Sequence, residues 1–174
     1  MDKQNINLST IIKDVDRVYA IDINERKVLL MHRRNSGKEY YTFSGGGIEK
    51  GETAEEALVR ELMEETSVKV SPTKLLYEVN WDNESKEYGY LCAYISGVPK
   101  LADNSVEMET MKNNPEQYYN PLWMPLKNVP ELLLYPLEVK DIFLQNIKDN
   151  FKSGLKKISL QRAPARQKMQ SLMK

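Results

Sequence analysis

The sequence predicts an α/β domain in which helices sandwich a mixed β-sheet. Three observations carry that expectation. Strand-like runs come in neighbouring pairs joined by short polar turns, one uninterrupted helical segment stands among them, and a second amphipathic helix follows the last strand. Strands arriving as pairs disfavour the strict strand–helix alternation of a doubly wound parallel sheet.

The elements follow in chain order. DRVYAIDI (16–23) and KVLLMHR (27–33) are apolar-rich runs of strand length joined by NER, a β-hairpin signature. Residues 40–43 make a third short strand. After three glycines, residues 53–66 contain strong helix formers and neither Gly nor Pro. Thr53 with Glu56 three residues on is the mark of a capping box, and Glu55 and Glu56 suit the positive end of the helix dipole. Residues 68–70, 75–81 and 87–96 read as strands, the last two joined by the turn-prone DNES. Residues 99–114 are polar and irregular, a long loop. NPLWMPL (120–126) holds two prolines and forms only an edge or interrupted strand. In 136–151, Leu137, Val139, Ile142, Phe143, Ile147 and Phe151 fall near helical spacing, with proline at the start.

At 174 residues, 41% apolar and 29% charged, the chain suits one globular domain. A single cysteine, Cys92, allows no internal disulfide, and no run approaches the roughly 20 apolar residues of a membrane span. MDKQNINLST lacks the basic start and apolar stretch of a signal peptide, so a reducing cytoplasm is the expected location. Zero net charge conceals an asymmetry. Residues 151–174 carry seven Lys or Arg and no acid, while residues 1–150 hold eighteen basic against twenty-five acidic residues, a formal −7. The expected organisation is therefore a domain over 1–150 and a basic tail over 151–174, partly disordered or helical, that folds back on the acidic body. Contact of the tail with nucleic acid is the rival reading, weakened because no aromatic follows Phe151.

Chemistry gathers on the helix at 53–66. At about 100° per residue, Glu61, Glu64 and Glu65 (i, i+3, i+4) share one arc, while Leu58, Val59, Leu62 and Met63 occupy another. Like charges at those spacings repel, and a hard divalent cation such as Mg²⁺, which prefers carboxylate oxygen, would offset them. An acidic helix face by itself is more often a solvated surface. Gly45, Gly46 and Gly47 just ahead change the balance, because they let backbone approach a ligand closely between a strand and a helix, where phosphates often bind.

From Gly46, five residues lead to Glu52, seven more to Arg60-Glu61, then Leu62, one residue, Glu64-Glu65, two residues, and Val68. This pattern resembles the Nudix box, the signature of hydrolases acting on nucleoside diphosphates linked to another moiety, and matches it at every charged position. VLLMHRR, Tyr41 and WMPL resemble further family features, so the likeness spans roughly residues 14–151 and leaves the basic tail outside it. Ser67 stands where the family has glycine, and Ser44 where it usually has proline.

The resemblance implies a Nudix fold, an α/β/α sandwich around a mixed sheet. It also implies that the Gly45 carbonyl with Glu61, Glu64 and Glu65 holds Mg²⁺, or Mn²⁺ in its place, against a diphosphate. Glu61 or Glu64 would serve as general base, and Glu52 and Arg60 would pair to tie loop to helix. Arg33 and Gly46 would meet the substrate's phosphates, and Asn120 a base edge. A nucleoside triphosphate, oxidised ones such as 8-oxo-dGTP included, is the favoured substrate, giving monophosphate and pyrophosphate. Nucleotide sugars and dinucleoside polyphosphates stand behind it, and a non-catalytic nucleotide- or RNA-binding module is the rival from another class. Homodimerisation follows from the resemblance alone, and no membrane partner is expected.

Overall fold

The computed structural model describes residues 15–82 and 85–161. Its elements in order are β1 (Arg17–Asn24), β2 (Lys27–Asn35), β3 (Lys38–Thr42), β4 (Ser44–Gly47), α1 (Ala54–Thr66), β5 (Lys69–Trp81), β6 (Lys86–Ser96), α2 (Val106–Asn113), β7 (Gln117–Pro125), a 3₁₀ helix (Leu126–Glu131), β8 (Leu134–Tyr135), α3 (Leu137–Lys148) and β9 (Lys156–Leu160). The nine strands form one mixed sheet in the order β8-β3-β2-β1-β6-β5-β9, with β4 paired to β1 and β7 to β2.

The predicted hairpin is present, with Ile23 opposite Val28. Its turn places Glu25 and Arg26 both at positive φ (47° and 61°), the geometry that matches the twist of two antiparallel strands. β1 also runs parallel to β6 from Arg17 opposite Glu87 to Asp22 opposite Cys92, which makes the sheet mixed. The proline-bearing β7 pairs only with β2, as an edge strand should. Residues 68–70 and 75–81 belong to one long strand, β5, in which register shifts around Pro72 absorb the missing N–H.

Alternation along the strands divides the core in two. On one face Val18, Ala20, Leu29, Val70 and Cys92 meet Ala57, Leu58 and Leu62 of α1. On the other, Ile21, Val28, Leu30, Phe43, Leu76, Tyr77 and Val79 meet Val129 of the 3₁₀ helix and Val139 and Phe143 of α3. Two helical layers thus flank the sheet, the sandwich the sequence predicts. Among the described residues no helix is long and apolar enough to cross a membrane.

Three readings change. The triple glycine, expected between a strand and a helix, is itself a strand: β4 lies antiparallel to β1, with Tyr19 opposite Gly45 and Val18 opposite Gly46. The segment 99–114 contains α2, capped where Met108 N–H donates to Ser105 Oγ at 3.2 Å. Its Val106 is 73% exposed, and without a buried face the segment lacks the periodicity that signals a helix. The basic segment was expected to be disordered or helical, yet its first residues form β9, parallel to β5, with Ile158 and Leu160 packed against the α3-side core. Lys74 Nζ fastens the preceding turn by donating to the carbonyls of Phe151 (2.8 Å) and Ser153 (2.7 Å). Residues 162–174 of the tail, the first ten residues read for a signal peptide, and Asn83 and Glu84 of the DNES turn lie outside the described residues.

Candidate functional site

α1 begins as its sequence dictates. Thr53 Oγ1 accepts the Glu56 N–H at 3.2 Å, and Glu56 Oε2 accepts the Thr53 N–H at 2.8 Å, completing the capping box. The helix ends on Ser67, which takes the left-handed conformation (φ 58°, ψ 20°) in which glycine is preferred, and its N–H donates to the Met63 carbonyl. Between these ends α1 crosses the glycine strand. A Cβ on Gly46 would fall on the Glu61 carboxylate, and one on Gly45 would strike the Val18 carbonyl, so only glycines let helix, β4 and β1 close together. Glu65 reaches the same strand, with its Oε2 accepting the Gly45 N–H at 3.1 Å.

Arg60 joins these parts. Its Nε and one terminal nitrogen grip Glu52 as a fork at 2.8 and 2.9 Å, and that same terminal nitrogen donates to the Gly47 carbonyl at 3.0 Å. Its other terminal nitrogen donates to Glu61 Oε1 at 2.8 Å and stands 3.7 Å from Glu64 Oε2. These bonds, with the Glu49 N–H, hold the Glu52 carboxyl down at about 2, and the Glu52 hydrogen bond raises the Arg60 guanidinium. The predicted Glu52–Arg60 pair is therefore present and also orients Glu61.

The three ridge glutamates occupy different surroundings. Glu65 is buried in the same arc as Leu58 and Leu62, Glu61 is half-buried over Gly46, and the Glu64 side chain is 61% exposed. Conversely Met63, placed on the apolar arc by spacing, is 42% exposed. Burial, then the charge of Glu107, pushes the Glu65 carboxyl up to about 7, while the Gly45 N–H and Arg33 act in the opposite direction. As donors, the Gly45 carbonyl and three carboxylates fit a hard divalent cation. A buried carboxyl held only by one N–H is the group a cation would neutralise. Among the described residues no three His, Cys, Asp or Glu side chains converge on one point as they stand, since Arg60 holds Glu61 and Glu64 turns outward.

Arg33 lies on the α1 side of β2. Its guanidinium carbon stands 5.2 Å from the ring centre of Tyr119, its partner across β7. Asn120 pairs with His32 instead, so the register turns it to the opposite face of the sheet from Arg33 and away from the ridge. His32 stacks on Tyr41 on that far face, with centroids 4.9 Å apart. Glu107, on the exposed helix α2, has its charge within reach of both Glu65 and Tyr119. Sequence reasoning passed over it by reading residues 99–114 as a loop. The available signal was Ser105 followed by acidic residues in a first helical turn, a helix start within a supposed loop.

The profile of the NUDIX domain matches residues 13–143. Among curated proteins, the NAD-capped RNA hydrolase NudC of Pectobacterium carotovorum subsp. carotovorum (strain PC1) is 27% identical over 116 residues, covering 66% of this chain and 40% of that protein. The chain thus spans about two fifths of the length of the curated relatives it matches. Among solved structures, a NUDIX hydrolase from Nitrosomonas europaea superposes with a TM-score of 0.65 at 16% identity, covering 84% of this chain and 78% of that one. The MutT protein from Methanosarcina mazei Go1 gives 0.55 at 23% identity, covering 79% and 96%.

Proposed function

The chain belongs to the NUDIX family of hydrolases, and we propose that it uses Mg²⁺ to hydrolyse the diphosphate linkage of a nucleoside diphosphate derivative. The observation that carries this reading is the seating of Glu61 and Glu65 against the glycine strand, which gathers two carboxylates beside Gly45 and Gly46 as oxygen donors for a hard cation. A nucleoside triphosphate, oxidised or not, is the first substrate to test, giving the monophosphate and pyrophosphate. A curated relative's name specifies a hydrolase of NAD-capped RNA, so dinucleotide-type substrates belong beside nucleotide sugars in the same trial.

The residues divide the work. Gly45, Glu61, Glu64 and Glu65 would hold the ion, which when bound neutralises charge on the phosphate oxygens and lowers the pKa of water. Arg60, anchored by Glu52 and Gly47, keeps Glu61 in place over Gly46. Arg33 binds phosphate oxygen from the sheet side. Glu64 takes the proton of the attacking water, because Arg60 already occupies Glu61 Oε1 at 2.8 Å but stands 3.7 Å from Glu64 Oε2. The water oxygen bonds to one phosphorus of the bridge, the bridging P–O bond breaks, and the departing group, pyrophosphate or the nucleoside monophosphate, carries away the electron pair on its oxygen. The single cysteine is in keeping with a reducing cytoplasm as the setting.

The test is phosphate and pyrophosphate release from a nucleotide panel with Mg²⁺ and with Mn²⁺. Glu64→Gln should lower kcat by about a hundredfold or more, the lower end of what a positioned base contributes, while leaving the unfolding midpoint unchanged. Undiminished turnover in that variant would remove the assigned role. Nucleotide binding without any turnover in the parent protein would favour a non-catalytic binding module.

A further inference from the structure

The sheet face that bears the carboxylates continues past Arg33 as a row of rings. Register places Tyr119, Arg33 and Tyr40 directly across from one another on β7, β2 and β3. Beyond them β8 sets Tyr135 opposite Thr42, on the face Thr42 shares with Tyr40. Tyr40 and Tyr135 meet edge to face, with centroids 5.8 Å apart and planes at 72°. Two strand spacings, about 10 Å, separate Arg33 from β8, comparable to the reach of a nucleoside.

Packing alone does not account for this row. Tyr135 is 43% exposed, although its neighbour Leu134 is fully buried. Along this row three polar atoms are buried with no hydrogen-bond partner, Arg33 Nε, Thr42 Oγ1 and Ser44 Oγ, in addition to the Asp22 carboxylate farther along β1 on the same face. Ser44 pairs with Ala20, whose side chain lies in the α1-side core, and it leads into Gly45. Tyr119 lies under the Arg33 guanidinium and so serves as its shelf, leaving the free ring surface at Tyr40 and Tyr135. The run from Gly45 through Ser44 and Thr42 to Tyr40 therefore passes from the strand that seats Glu65, through unpaired buried hydroxyls, to aromatic surface. A nucleotide presents phosphate, sugar hydroxyls and planar base in that sequence.

We propose that Tyr40 and Tyr135 form the base-recognition platform of this site, with Arg33, propped on Tyr119, holding the phosphate between platform and carboxylates. The platform rests on the hydrolase reading above for the identity of the site. It sorts substrates by the ring they carry, so diphosphates lacking a planar base bind weakly.

Calorimetric titration of the full chain with Mg²⁺ tests this, using AMP, GMP, CMP and UMP against ribose 5-phosphate, which has the phosphate and sugar without the base. At least one nucleotide should bind about tenfold more tightly than ribose 5-phosphate, the scale of one base stacking on an aromatic ring. Tyr135→Ala should erase that preference, Tyr135→Phe should keep it, and Arg33→Ala should weaken nucleotide and ribose 5-phosphate by the same factor. An unchanged unfolding midpoint for Tyr135→Ala ensures that a folded protein is being measured. Equal binding of all five ligands, or a preference that survives Tyr135→Ala, overturns the platform. Because binding is read without turnover, a protein that shows the preference but hydrolyses nothing loses only the enzyme reading, and one that hydrolyses nucleotides with no ring preference loses only the platform.

Discussion

Replacing Asp22 by Asn should remove a loss of stability that the parent protein suffers as pH rises from acid to neutral. Asp22 lies on β1 two residues beyond Ala20, on the α1 side of the sheet opposite Cys92, fully buried with no hydrogen-bond partner for either carboxylate oxygen. Loss of solvation pushes its carboxyl up from 3.8 to about 7. The folded state thus holds the proton more tightly than the unfolded chain does. Below the unfolded value the carboxyl is neutral in both states and exacts no charge penalty. As pH rises from about 4 to 7 the unfolded chain ionises first and stability falls, levelling off above 7. Between pH 5 and pH 8 the loss is about 3 kcal/mol at roughly 1.4 kcal/mol per pH unit, an upper figure for a group whose surroundings relax. Asn keeps the size and the unpaired polarity but never ionises. Urea unfolding at pH 5 and pH 8 should therefore show a stability difference between Asp22→Asn and the parent that grows by up to about 3 kcal/mol at the higher pH. Other titrating groups, Glu65 among them, are common to both proteins and cancel. An equal difference at the two pH values would mean that Asp22 finds a partner or water in solution, refuting its description as a dry, unpaired carboxyl.

Two further substitutions probe the site and its helix. Gly46→Ala sets a methyl group against the Glu61 carboxylate, so turnover with Mg²⁺ should fall about a hundredfold, in line with a small displacement of a positioned group, and parental activity would show that Glu61 need not sit on β4. Ser67→Gly relieves a left-handed residue at the end of α1 and should raise stability by about 0.5–1 kcal/mol in urea unfolding; a loss would show that the serine side chain contributes more than the backbone costs.

Much of the architecture is legible in the sequence, for reasons that differ by element. α1 announces itself twice, by the Thr53–Glu56 box and by a run free of Gly and Pro, and its boundaries match the prediction within a residue. The β1–β2 hairpin is visible because its strands are apolar and its turn is polar. α2 is hidden because it buries no residue, leaving the 3.6-residue pattern without contrast. β9 is hidden because its charges advertise solvation while only Ile158 and Leu160 carry the contact. Within the site, Arg60 and Glu52 were readable as a pair, but the separate fates of Glu61, Glu64 and Glu65 were not. A helical wheel treats them as equivalent, and only the approach of β4 decides which is covered. Asn120 shows the same limit, since its side follows from register with β2, which spacing alone does not reveal.

The position of β9 bears on how the chain matures during synthesis. Every residue named in the carboxylate site lies between Arg33 and Tyr119 and can take its place before β9 has left the ribosome, whereas the flank of β5 waits for Lys156–Leu160. In that interval β5 presents bare amide and carbonyl groups, an invitation to foreign strands. The late strand thus acts as a seam closed from the C-terminal side, and slow translation through this region would lengthen the exposure without touching the face where the carboxylates gather.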